Sequence, residues 1–148
     1  MPTAVEALMG LVPRFLVKID ASKYDFGSFN TVKGLDVTWD IAEYRAGDAK
    51  NERWYFPGVT KYSTIKLERA VDPVGTAGVR KWLESNSFKH EIQSGKIELQ
   101  DAMGIEVTHW TLRHVIPVKW SIVGFDAGQS KVATETLELA HMGFLENE

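Results

Sequence analysis

In "LDVTWDIAEY", residues 35–44, Leu35, Val37, Trp39 and Ile41 alternate with Asp36, Thr38, Asp40 and Ala42. A period of two sends successive side chains to opposite faces of an extended chain, so this stretch predicts a β-strand with one apolar and one wet face. The same period recurs. "RFLVKID" sets Phe15, Val17 and Ile19 against Lys18 and Asp20, and "KYSTIKLERAV" sets Ile65 and Leu67 against Lys66 and Glu68. "YDFGSFNTVKG" predicts a turn or bulge at Gly27 followed by a second strand. "KIELQD" is a further strand, followed by a turn at residues 102–104. "IEVTHWTLRHVIPVKWSIVGFD" alternates up to and beyond Pro117, which lacks a ladder donor and suits an edge, bend or bulge. The last strand is "VATETLELAHMGF", residues 132–144.

One amphipathic helix is expected, from Thr76 to about Asn86. Val79, Trp82 and Leu83 form its apolar stripe, and Asp72 or Thr76 stands where a cap is needed. Many short strands and one helix predict an α+β, mainly β fold: an antiparallel β-sandwich or partial barrel with one flanking α-helix. Residues 1–13 read as an N-terminal arm and residues 14–148 as a single domain, without repeats or a linker. A chain of 148 residues buries a real core without staples, and with no Cys it forms no disulfide. The net charge of -3, without blocks of Lys and Arg, gives no footprint for a sequence-independent grip on nucleic acid. The apolar run "ALMGLVP", residues 7–13, is too short to span a bilayer and has no basic segment before it, so no membrane anchor or ordinary signal peptide is expected.

Catalytic patterns are missing from the sequence. His109 and His114, five apart on one strand, point to opposite faces and cannot share a metal ion. Asp36 and Asp40 share a wet face, but strand rise puts them about 13 Å apart, outside the roughly 5 to 9.5 Å that paired glycosidase carboxylates require. "GTAG", residues 75–78, precedes the expected helix, yet it lacks the Lys and Ser/Thr of a phosphate loop and reads as turn chemistry. No G-x-S-x-G occurs. The expectation is a non-enzyme with no cofactor and no metal.

Two surfaces then call for an explanation. Long strands with free edges must be covered, charged or paired with another chain. The strand at 132–144 has little chain after it, so pairing between copies, repeated around an axis, would close a ring; an ordinary sandwich with solvated edges is the alternative. The second surface is "EYRAGDAKNERWYFPG", residues 43–58. It reads as a long polar connection that ends in three adjacent aromatics, Trp54, Tyr55 and Phe56, which either grip a neighbour or fold back into their own core.

"FNTVKGLDVTWDIAEYRAGD", "FPGVTKYSTIKLERAV", "HWTLRHVIPVKWS" and "ATETLELAHMGF", in that order, resemble the inner tail-tube proteins of contractile phages and phage-derived contractile injection systems. Type VI secretion tube proteins are more distant relatives. The resemblance covers nearly all of the chain beyond the arm. It implies hexameric rings with a continuous inter-subunit β-barrel, stacked into a hollow tube that a contracting sheath drives through a target envelope. The implied partners are other copies of the chain, a contractile sheath protein, baseplate or spike and tube-terminating proteins, and DNA or protein cargo in the lumen. Assembly in the bacterial cytoplasm, and a final place in a virion tail or a released injection particle, are implied as well.

On that view Glu43, Tyr44, Arg45, Glu52, Arg53, Trp54, Tyr55 and Phe56 are the inter-subunit loop contacts. Asp36, Thr38, Asp40, Lys66 and Glu68, on wet strand faces, are the channel wall. Two positions depart from the family pattern: Lys33 replaces a small residue before "GL", and Ala70 stands where a glycine is common after Arg69, which would be strained if the backbone there needs a positive φ. The competing reading from another class is a monomeric small-ligand-binding β-barrel, which requires an apolar interior pocket.

Overall fold

The computed structural model describes residues 13–44, 54–88, 91–124, 128 and 132–145, with the backbone alone for 42–44, 54–57 and 88. The arm expected at residues 1–13 lies, apart from Pro13, outside the described residues. In chain order the elements are β1 (Arg14–Ile19), β2 (Tyr24–Phe29), β3 (Thr31–Lys33), β4 (Val37–Tyr44), β5 (Trp54–Tyr62), β6 (Ile65–Ala70), α1 (Pro73–Phe88), β7 (Gly95–Gln100), β8 (Glu106–Leu112), β9 (Ile116–Val123) and β10 (Thr134–Ala140). One antiparallel sheet runs β2-β1-β7-β8 and a second runs β3-β6-β10-β9, while β4 and β5 form a separate hairpin. Val17, Ile19, Phe26, Phe29 and Ile97 of the first sheet meet Ile65, Leu67, Leu137 and Leu139 of the second in one core, which Val79 and Trp82 of α1 complete. The expected mainly β sandwich with one flanking helix is what these residues build.

Gly27 does mark a bulge. Val17 pairs with Gly27 but Lys18 pairs with Asp25, leaving Phe26 as the extra residue, and Gly27 takes a φ of 76°. Phe26 is thereby turned inward, its ring centroid 5.3 Å from that of Trp82. The helix starts at Pro73, one turn earlier than expected. Asp72 is its cap, accepting the Gly75 N–H at 3.2 Å, and Pro73 occupies the first helical position, where a missing N–H costs nothing. "GTAG" therefore lies inside the helix, not before it. A Cβ on Gly75 or Gly78 would strike the carbonyl oxygen of Phe26 or Asp25, so these glycines allow α1 to lie against the backbone of β2.

Arg69 and Glu135 were not foreseen, although both fall on the apolar parity of their strands, beside Leu67 and Leu137. Arg69 is 4% exposed and Glu135 is fully buried. One carboxylate oxygen, Oε1, accepts from Arg69 Nε at 2.8 Å and lies 2.7 Å from Nη2. Nη1 donates to the carbonyls of Phe26 and Ser28, the latter at 3.3 Å, and the guanidinium sits 4.0 Å over the centre of the Phe29 ring. A side chain of the second sheet thus satisfies the outer edge of β2 in the first.

Three strand expectations change. The last strand is no exposed edge: β10 lies between β6 and β9. The long alternation through Pro117 is two strands in different sheets, β8 and β9, joined by a turn in which His114 has a φ of 49°. His109 on β8 and His114 in that turn therefore do not share a strand. Pro117 is on the edge strand β9, at a bulge where Glu138 pairs with Lys119 and Leu139 with Pro117, as its missing donor predicts. Ala70 pairs with Thr134 and is not among the residues of positive φ, so the feared strain does not arise.

A C-terminal strap fixes the base of the hairpin. Tyr62, at the end of β5, meets His141 and Phe144 edge-on at 5.4 and 5.1 Å. Arg113 donates to the carbonyls of Leu145 and Met142, and its own backbone pairs with Met142 and Gly143. Burial, assisted by the Arg113 charge and opposed by the Ser63 carbonyl, holds the His141 pKa below its ordinary value.

Two outcomes follow from this packing. Arg69→Met leaves the Glu135 carboxylate buried without its counter-ion and lowers unfolding stability by about 3–5 kcal/mol. Adding Glu135→Leu recovers at least half of the loss in chemical denaturation. His141 binds a proton more readily unfolded than folded, so the stability it contributes is present above about pH 6.5 and is lost as pH falls below that value. Denaturation midpoints measured from pH 7.5 to 5.5 decline, and His141→Gln flattens the decline.

Candidate functional site

The hairpin corrects the reading of residues 43–58 as one connection. Trp54–Tyr62 is strand β5, and its register sets Trp54 opposite Tyr44, Tyr55 opposite Glu43 and Phe56 opposite Ala42. The aromatic triplet is thus part of a strand that runs back along β4. Arg45, Glu52 and Arg53 lie outside the described residues, and the side chains of Glu43, Tyr44, Trp54, Tyr55 and Phe56 are likewise not described. The strand was hidden because a bulge breaks its alternation. Trp39 pairs with Thr60 and Ile41 with Pro57, so Asp40 faces two residues, Gly58 and Val59. Gly58 is needed there, since a Cβ would strike the Asp40 carbonyl.

The apolar face of "LDVTWDIAEY" is dry only at its start. Leu35 packs on the core, but Trp39 is 53% exposed and Ile41 is 67% exposed. The expectation that this face packs into the chain's own core fails for its outer half. β4 and β5 pair only with each other, so the hairpin leaves the body with nothing from this chain over Trp39 and Ile41 among the described residues. On the opposite face Thr38 and Asp40 are exposed, and Asp40 meets Lys61 at 2.8 Å.

The outward face of the second sheet is polar in ordered rows. Lys33, Lys66, Glu138 and Lys119 stand side by side across β3, β6, β10 and β9, and the neighbouring row is Thr31, Glu68, Thr136 and Ser121. Of the five residues expected to share a wall, Lys66 and Glu68 lie on this sheet. Asp36 lies in the link before β4, and Thr38 and Asp40 lie on the hairpin. Lys66 and Glu68 are 3.9 Å apart.

Sheet edges complete the geometry. α1 and Arg69 close the β2 edge of the first sheet, while the outer edge of β8 has no partner strand among the described residues. Among the described residues no strand pairs with the outer edges of the second sheet, at β3 and at β9. A cleft of about 290 Å³, lined by Asn30, Thr31, Glu68, Arg69, Ala70, Val132 and Thr134, lies where β6 runs on past the short β3. Between the sheets the space is occupied by fully buried Phe26, Phe29 and Trp82 with the aliphatic residues around them, which counts against a ligand-holding barrel. Among the described residues no three His, Asp or Glu side chains are grouped to hold a metal.

The family model of the T4-like virus tail tube protein gp19 matches residues 12–145. Among solved structures, a chain in the sheath-tube complex of an extracellular contractile injection system, PVC, in its extended state is 26% identical with a TM-score of 0.69, over 95% of this chain and 94% of that one. A chain in the baseplate of the anti-feeding prophage is 22% identical with a TM-score of 0.68, over 97% and 93% of the two chains. A type six secretion system protein, 14% identical with a TM-score of 0.52 over 86% and 78%, shares the fold. No curated protein sequence matches. A family model that spans both sheets, the helix and the hairpin places this protein in the T4-like virus tail tube protein gp19 family, as a structural subunit of an inner tube.

Proposed function

We propose that the chain assembles as hexameric rings that stack into the hollow inner tube of a contractile tail or injection system. The observation that carries this is the asymmetry of edges. A sheet grows from copy to copy only if both its ends are free, and of the two sandwich sheets only the second meets that condition among the described strands. β9 of one copy adds to β3 of the next, and six repeats close a continuous barrel. The polar rows of the second sheet then face the lumen, with Lys66 and Glu68 on the wall, while Asp36, Thr38 and Asp40 extend it along the hairpin. The first sheet and α1 face outward, toward a contractile sheath. Residues 14–148 act as one unit, with residues 1–13 as an arm.

The hairpin supplies the second contact. Trp39 and Ile41 are exposed on one of its strands, and Trp54, Tyr55 and Phe56 run along the other. Fully burying one large apolar side chain is worth about 1.5–3 kcal/mol, against about 0–1 kcal/mol for an exposed ion pair. The aromatic and aliphatic groups therefore hold the neighbouring copy, while Glu43, Tyr44, Arg45, Glu52 and Arg53 set the register of the contact. Baseplate or spike and tube-terminating proteins bind the two ends of such a tube, a reading supported by likeness to chains found in baseplate and sheath-tube complexes. The tube is assembled in the bacterial cytoplasm, performs no reaction, and draws its motion from the sheath while DNA or protein cargo occupies its lumen.

Trp54→Ala with Phe56→Ala, and separately Trp39→Ser with Ile41→Ser, yield folded, soluble subunits by circular dichroism that form no tubes on electron-microscope grids. Full-length tubes from both double variants would remove the hairpin from assembly.

A further inference from the structure

The row Lys33, Lys66, Glu138, Lys119 contains three cations and one carboxylate, with Lys33 directly opposite Lys66. Like charges facing each other across strands destabilise a sheet, and only the Lys66 side of this pair has a carboxylate beside it, Glu68 at 3.9 Å, among the described residues. Lys33 and Lys119 are exposed and make no ion pair among the described residues. The carboxylates of the same face are partly engaged: Glu138 accepts from Thr64 at 2.9 Å, and Glu68 lies beside Lys66. The neighbouring row, two residues along, holds Glu68 as its sole charge.

We propose that this face binds acidic segments of a protein cargo, an inference that rests on the tube reading above. In a ring that joins β9 of one copy to β3 of the next, Lys119 and the next copy's Lys33 stand on the two strands of each seam, and Lys66 continues the run. Each ring then carries a belt of ammonium groups, separated by about 7 Å along the strands from a sparser belt of Glu68 carboxylates. Nucleic acid carries charge at nearly every step, one per about 1.7 Å of duplex, so it cannot meet the first belt without also meeting the second. A polypeptide can, because its carboxylates come in groups with neutral residues between them. Contacts of this kind are exposed and salt-screened, which holds a cargo in register yet lets it slide out when the tube is discharged.

The test polymerises the purified full-length chain with fluorescent poly-L-glutamate, poly-L-lysine or single-stranded DNA of matched length. Outside probe is digested with protease or nuclease, and protected probe is read per subunit in pelleted tubes that are also counted on grids. The expected result is poly-L-glutamate held at least tenfold above poly-L-lysine and severalfold above DNA. Lys33→Glu with Lys119→Glu lowers its retention about tenfold, Lys33→Ser lowers it in part, and Lys33→Arg retains it. Tubes that protect DNA as well as poly-L-glutamate, or whose retention ignores these substitutions, overturn the cargo inference and leave the tube reading standing. A wild-type chain that forms no tubes overturns both.

Discussion

A single guanidinium decides which edges of this protein are open. Arg69 leaves the second sheet, crosses to the first, and satisfies the carbonyls of Phe26 and Ser28 on the outer side of β2. With α1 pressed on the same strand through Gly75 and Gly78, that edge cannot accept another chain. Burying an arginine costs several kcal/mol, and Glu135 offsets the cost with its opposite charge, accepting from Nε and lying 2.7 Å from Nη2. A pair of hydrophobic residues in its place would fill the core but would leave the β2 carbonyls unpaired. The pair therefore specifies how the two sheets and the helix dock, which in turn leaves the second sheet open at both ends.

From that arrangement the remaining features follow in order. Strand β10, although last, is inserted between β6 and β9, so β9 with its bulge at Pro117 becomes an edge. The short β3 is the opposite edge, and Gly34 just after it takes a φ of 94°, where a side chain would collide with the Thr64 carbonyl. The chain then departs into the hairpin, whose base is held by Tyr62, His141, Phe144 and Arg113. A rigid base under an uncovered apolar face presents that face to a neighbour at a fixed angle, which lowers the ordering cost of association.

Much of the sandwich was legible because its strands are half-buried, and half-burial writes a period of two. Phe15, Val17 and Ile19, or Ile65 and Leu67, announce both strand and inner face. Strand order was not legible: nothing in residues 132–144 says that they insert between two earlier strands. β5 was hidden by the bulge at Gly58 and Val59 and by the charges that precede it. Trp39 and Ile41 show the limit most clearly, since alternation reveals that a face is apolar but not whose surface covers it. Arg69 and Glu135 carried a readable sign, two opposite charges on the apolar parity of their strands, that only a buried pair explains.

In the proposed tube, copies join through the two outer edges of the second sheet, with its polar rows turned inward. A high-resolution electron-microscope map of tubes polymerised from the chain tests it most directly. The expected map shows backbone hydrogen bonds from β9 of one subunit to β3 of the next, with Lys66 and Glu68 projecting into the lumen. A ring closed through β8, or a map with those two side chains on the outer wall, would contradict it.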